Sequence, residues 1–241
     1  MAEISSLQLP SPPTHMPQEQ DINKPAIIKL LKIPTLTNLY ASSTIKKVQQ
    51  AKYIPKNWLL ERVSLWKGDI TKLEVDAIVN AAQHSLLGGS GVDGAIHKAA
   101  GRKLYDECLT LGGAETGEAK ITKGYDLPSK HVIHTVGPKY NDGKDVESKA
   151  SQLALCYKNS LDLAMKNELR SVAFPSISTA IYRYPIVDAT HIALKTVREI
   201  LDEHEQQFDR VIFVVFSDKD KEVYETLIPE YFPSEEGSTG L

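Results

Sequence analysis

Short runs that are apolar almost throughout recur along the chain, separated by stretches with helical spacing. VDAIVNAA (Val75 to Ala82) reads as a strand covered on both faces, SVAF (Ser171 to Phe174) as a short buried strand, and RVIFVVF (Arg210 to Phe216) as the clearest strand in the chain. RVSLW (Arg62 to Trp66), EAKITKGYDL and HVIHTVG also have strand character, punctuated by Gly124, Pro128 and Gly137. Helical patterns fill the gaps: GVDGAIHKAAG, KLYDECLTLGG, and Glu147 to Lys166 with Leu153, Tyr157, Leu161 and Ala164 on one stripe. IVDATHIALKTVREILDEH follows Pro185, which a first helical turn tolerates, and DKDKEVYETLIPEYF closes the pattern. Strands alternating with helices predict an α/β layered domain with a largely parallel central sheet.

The pattern divides the chain. Residues 1–24, rich in Pro, Ser and Gln, read as a flexible tail. Residues 25–56 carry helical stretches broken by Pro34, an appendage that either packs on the main domain or serves as a spacer. The compact domain is expected over 57–233, with a short C-terminal tail at 234–241.

Composition narrows the function classes. A net charge of −3 gives no reason to expect direct nucleic-acid or membrane binding, so any polyanion must be held by local dipoles. Cys108 and Cys156 both fall in helical patterns and read as buried apolar side chains rather than a disulfide framework. No apolar run approaches membrane-spanning length, and the first residues lack an apolar signal core. A cytoplasmic or nuclear monomer is expected.

Candidate chemistry concentrates in QHSLLGGSGVDGAIHKAA (Gln83 to Ala100), between a strand and a helix. Glycines at 88, 89, 91 and 94 free the backbone to approach a ligand. Unpaired N–H groups on such a loop, capped by a helix N-terminus, form an anion-binding concavity suited to a phosphate or diphosphate. A turn that merely joins strand to helix would not need four glycines in seven positions. Two further pieces stand at strand carboxyl ends, where such sheets bind ligands: Asp69 in GDIT, and SISTAIY (Ser176 to Tyr182). Taken singly, each has a plain reading as a turn or cap residue; together they suggest two loops pinching a diphosphate beside an acid. GSGVDG matches a dinucleotide fingerprint only weakly, because QHSLLG separates it from the strand, and no phosphate-loop Gly-Lys-Ser/Thr occurs.

GDIT, DAIVNAA, LLGGSGVDGAIHKAAG, TGEAKIT, HVIHTVGP, SVAFPSIST and a late YFP, in this order, resemble the macrodomain family, specifically its MacroD-type ADP-ribosylhydrolases. The resemblance runs from about Trp58 to Pro233. It implies a three-layer α/β/α fold with a mixed, largely parallel sheet and no cofactor. It also implies binding of ADP-ribose or a mono-ADP-ribosylated protein, and hydrolysis of ADP-ribosyl esters on acidic side chains and of O-acetyl-ADP-ribose. Carried onto this chain, Asp69 and the Ile70 backbone would hold adenine, and Phe216 would pack on it, although a core aromatic is the equally plain reading. Asn80 and Gln83 would face the distal ribose, while Gly89, Ser90, Gly91, Val92 and Gly94 would wrap the diphosphate and that ribose. Ser178, Thr179, Ala180, Ile181, Tyr182 and Arg183 would close the other side, and Asp93 matches the catalytic acid.

Three positions depart from the family pattern. NAAN becomes Asn80-Ala81-Ala82-Gln83, and the added methylene would move the amide by roughly an ångström, about a hundredfold in rate if uncorrected. STGxxGYP becomes Ser178-Thr179-Ala180-Ile181-Tyr182-Arg183-Tyr184-Pro185. Ala180 would cost about 1–2 kcal/mol if left-handed, and Arg183 either contacts phosphate, obstructs the pocket or lies in solvent. His84 is a general-base candidate beside the plainer reading of an exposed loop His. His131 and His134 point to opposite faces, His97 reads as packing, and no metal site is expected. Three functional readings follow: an ADP-ribosyl ester hydrolase using Asp93 and Gln83, a reader of ADP-ribose weakened by the three changes, and an NAD-binding protein of other chemistry.

Overall fold

The computed structural model describes residues 26–140 and 144–235. Six strands form the main sheet: β2 (Val63–Lys67), β4 (Ala77–Ala82), β5 (Ala119–Lys123), β6 (His131–Val136), β7 (Ser171–Pro175) and β8 (Arg210–Val215). Their order is β2-β8-β7-β4-β6-β5. All neighbours are parallel except β5, which runs antiparallel to β6 at one edge. A smaller parallel pair joins β1 (Ile28–Lys29) to β3 (Leu73–Glu74).

Alternation along the strands sorts side chains between two layers. Val172 and Phe174 face Tyr157 and Leu161 of α5 (Val146–Lys166) and Leu194 and Val197 of α6 (Ile186–Glu203). Ala173 and Ile212 face the opposite way, toward Ile96 of α3 (Gly91–Ala100) and Leu104 and Cys108 of α4 (Arg102–Leu111). Both sides of β7 and β8 are thus covered, which is why their sequences carry no polar alternation. The expected α/β/α layering holds. Both cysteines are free and fully buried in helices. Among the described residues no helix is long and apolar enough to cross a membrane.

The residues before Asn57 pack on this core. Thr35 caps α1 (Leu36–Ala41) through a reciprocal bond with Asn38, and Leu36 and Ile45 are buried with the main cluster. Arg198, 1% exposed, holds the segment in place. Its guanidinium donates to Ile54 O at 3.0 Å, to Tyr231 O at 2.6 Å and to Asp202 Oδ2 at 2.8 Å. Tyr231 ends α7 (Asp218–Tyr231), so one buried arginine joins the early segment to the last helix.

Parallel strands place all their carboxyl ends along one edge of the sheet. That edge carries Gly68-Asp69 after β2, Gln83 after β4, Gly137 after β6, Ser176 after β7 and Phe216 after β8.

Candidate functional site

The first wall of a cleft at this edge is the loop from β4 to α3. Leu86, fully buried with φ 61°, anchors it, while Gly88 (φ 83°) and Gly91 (φ 64°) supply the left-handed bends. Gly94 lies so close to the loop that a Cβ there would strike Gly89 O. Ser90 makes no side-chain cap on α3, so the first-turn N–H groups face the cleft with their partial positive charge.

The opposite wall is the loop from Ser176 to Tyr184. It folds on itself through Tyr184 N to Ser178 O at 3.0 Å, and Tyr140 N donates to Tyr182 O at 2.8 Å. Ser178 adopts φ 66° and its buried Oγ has no hydrogen-bond partner among the described residues. Gly137 is required beside it, since a Cβ there would run into Ser178 Oγ and Ile177. Ala180 escapes the expected penalty: the left-handed residues of this loop are Ser178 and, at φ 56°, Arg183. Strain of about 1–2 kcal/mol each therefore sits at Ser178 and Arg183 rather than at Ala180.

Between the walls lie two joined compartments sharing Gly91, Val92, Ser176 and Ala180. The larger, about 380 Å³, is floored by Val214 and Val215 and bounded by Asp69, Ile70, Thr179 and Phe216. Phe216 is 82% exposed, which removes its reading as a core aromatic. Asp69 caps a short 3-10 turn, accepting from Thr71 N at 3.0 Å and Thr71 Oγ1 at 2.6 Å through Oδ1. It is a cap and a cleft residue at once. The smaller compartment, about 130 Å³, has Asp93 at its base, with Gln83, Gly89, Ser90, Ser178, Ile181 and Tyr182 around it. Ile181 bridges toward Gly91, 3.4 Å from where a Cβ on that glycine would stand.

Beneath the smaller compartment runs a polar network. Asn80 Nδ2 donates to Asp93 Oδ1 at 2.7 Å and reaches His134 Nδ1 at 3.1 Å. His134 Nε2 meets Thr122 Oγ1 at 2.9 Å, with Cys108 Sγ at 3.7 Å. A donor on Nδ1 and an acceptor hydroxyl on Nε2 fix a neutral His134 carrying its proton on Nε2. Burial holds its pKa down to about 3. His97 Nε2 stands 3.6 Å from Asp93 Oδ1, and burial lowers the imidazole's pKa despite the nearby acid. Asp93 shifts upward: burial outweighs the Asn80 hydrogen bond and the His97 charge. His97, Cys108 and His134 place their ligand atoms within 4.8 Å of one another. Both His134 nitrogens are already engaged, so the trio functions as packing and hydrogen bonding around Asp93 rather than as an open coordination site.

Most predicted site residues meet in this cleft, but three stand apart from its lining. Asn80 is fully buried below the floor and holds Asp93; Gly94 supports the first loop from behind; Arg183 follows Tyr182 at the exposed rim. Gln83 turns its amide back on its own loop, donating to Gly88 O. His84 points away, its Nδ1 3.0 Å from Ala114 O. Ser176 lines both compartments, as the first residue of the expected SISTAIY loop, whereas Gly137 and Asp220 line the cleft without having been foreseen. Gly137 was readable as a strand-end position; Asp220, in the first turn of α7, had no local signal.

A family model, Macro domain, matches residues 79–193. ADP-ribose glycohydrolase MACROD1 of Rattus norvegicus is 54% identical over 206 residues, spanning 86% of this chain and 79% of the relative. The chain belongs to the macrodomain family. Mouse (Mus musculus) MACROD1 is 53% identical over 206 residues, 86% of this macrodomain chain and 63% of the mouse protein. A crystal structure of the Trypanosoma brucei macrodomain in complex with ADP-ribose superposes with a TM-score of 0.71 at 38% identity. That likeness covers 83% of this chain and 76% of the other. The layered sheet and the cleft at its carboxyl edge are thus macrodomain features that the sequence motifs foretold.

Proposed function

We propose that the cleft binds ADP-ribose and that the protein hydrolyses mono-ADP-ribosyl esters on acidic side chains, with O-acetyl-ADP-ribose as a second substrate. The observation that carries this is the pair of compartments joined between two loops. Adenine enters the larger one, against Phe216 and within reach of Asp69 and the Ile70 backbone. The diphosphate occupies the joint, where the first turn of α3 and the Thr179–Ile181 backbone supply N–H groups. The distal ribose then reaches Asp93, Gln83 and Tyr182. Support comes from the relatives named ADP-ribose glycohydrolase and the neighbouring structure solved with ADP-ribose.

Asp93 orients the attacking water or the ribose hydroxyl that relays it, while Asn80 fixes the carboxylate and His97 supplies a nearby proton-accepting ring. Loop N–H groups stabilise charge that develops on the departing carboxylate and on the phosphates. Water adds, the bond between ADP-ribose and the acceptor carboxylate breaks, and free ADP-ribose and the free acid leave.

The test is release of ADP-ribose from a protein mono-ADP-ribosylated on Glu or Asp. Fast release supports the reading; tight ADP-ribose binding without release overturns hydrolysis. One observation favours the second reading, an ADP-ribose reader: the Gln83 amide is committed to Gly88 O rather than directed into the cleft. Under that reading, Gln83→Asn produces a large gain in release.

A further inference from the structure

The rim of the Asp93 compartment carries two cations that the hydrolytic chemistry does not use. Arg183 occupies a left-handed position, φ 56°, where the family pattern STGxxGYP has glycine. A long charged side chain kept at a strained position on a ligand loop suggests that the side chain itself has a use. Its guanidinium is exposed and forms no hydrogen bond or ion pair with any described residue. Lys139 approaches from the neighbouring strand end, its Nζ 5.4 Å from the centre of the Tyr182 ring. Tyr182 itself lines the compartment, and its carbonyl is held by Tyr140 N at 2.8 Å, so Lys139 stands beside its ring while Arg183 is the next residue along the same pinned loop.

This mouth is where the polypeptide bearing a modified side chain has to pass, given the placement of the distal ribose under the proposed function, on which the inference rests. We propose that Arg183 and Lys139 form a rim that selects ADP-ribosylated carboxylates embedded in acidic polypeptide segments. The chain as a whole is net acidic, with a formal charge of −3, so the preference arises from this local pair and not from bulk attraction. Arginine offers planar, two-toothed hydrogen bonding to carboxylates beside the modified one, and lysine adds a mobile point charge.

Two peptides mono-ADP-ribosylated on the same Glu, one flanked by Asp and Glu and the other by Ser and Ala, provide the test. The full chain is expected to favour the acidic peptide in kcat/KM by about three- to tenfold at low salt, with the advantage shrinking toward one in 0.5 M salt, beyond roughly a 5 Å screening length. Arg183→Gly, which suits the left-handed backbone, should bring the ratio close to one. Lys139→Gln should reduce the ratio while leaving turnover of the neutral peptide unchanged. Equal kcat/KM for the two peptides, or an undiminished ratio in Arg183→Gly, overturns the rim. If neither peptide is hydrolysed, the hydrolase reading fails separately. Fluorescence anisotropy with the same pair then decides the rim, preference for the acidic peptide supporting it and equal or absent binding overturning it.

Discussion

Asn80 Nδ2 lies 2.7 Å from Asp93 Oδ1, a hydrogen bond between two side chains that are almost wholly removed from water. The amide comes from a central strand and the acid from the first turn of a helix, so the contact sets the carboxylate against the sheet. Asn80→Ala leaves that oxygen unpaired. The fold should lose about 2 kcal/mol in urea titration, and turnover should fall roughly tenfold to a hundredfold. Asp93→Ala should abolish release while calorimetry still detects ADP-ribose binding.

His134 makes stability depend on pH in a defined direction. It is neutral when folded, with a pKa held to about 3, whereas in the unfolded chain it titrates near 6.5. Its contribution is therefore present above about pH 6.5 and disappears as pH falls toward 3. His97, also lowered, acts with the same sign. Asp93, raised by burial, acts oppositely: its contribution is present below the ordinary carboxylate range and lost as pH rises through its folded value. Urea midpoints at pH 7, 6, 5 and 4 should fall steeply for the native sequence and much less steeply for His134→Gln.

Gly94 has ordinary helical geometry, so alanine there would favour the helix by about 1 kcal/mol on propensity alone. Its Cβ, however, meets Gly89 O. Gly94→Ala should displace the first loop and weaken ADP-ribose binding at least tenfold, checked by calorimetry. An unchanged affinity would show that the loop is free to adjust.

Phe216 is exposed where it stands, so truncation to alanine should leave urea stability within about 0.5 kcal/mol of the native value. ADP-ribose affinity should fall by about 1–3 kcal/mol as a stacking surface for the base is lost. A loss of stability in place of affinity would return this residue to a structural role.

Arg198 lies far from the cleft and links three segments of chain. Arg198→Met keeps much of the side-chain volume but strands the Ile54 and Tyr231 carbonyls and leaves the Asp202 carboxylate with Lys56 alone, at 2.9 Å. The expected cost is about 3 kcal/mol in the urea midpoint, with ADP-ribose affinity unaltered.

Much of this architecture was legible before any coordinates. β4, β7 and β8 are buried on both faces, and unbroken apolar runs can satisfy that environment. The two cleft loops showed themselves through glycine density and strand-end position. What escaped were relations between residues distant in sequence. Nothing local to His97 distinguishes a packing ring from one beside Asp93, and nothing local to Asn80 shows that its amide serves a buried acid in place of a ligand. At Arg183, the motif revealed a substitution but not its conformation; the positive φ appears only once the loop closes on Tyr184 and Tyr140. Asp220 reaches the cleft because α7 starts at the carboxyl edge directly after Phe216, and nothing local marks which first-turn residue faces the ligand.

The order of the strands has a practical corollary for anyone trimming this molecule. A fragment cut at residues 79 and 193 begins inside β4 and omits both β2 and β8. It would bare the flank of β7 that pairs with β8, from Ser171 to Pro175, and leave Val172 and Phe174 without Leu194 and Val197 of the truncated α6. Such a piece invites edge-to-edge aggregation. Recognisable borders and self-sufficient ones are different things in this chain, and soluble expression will follow the second.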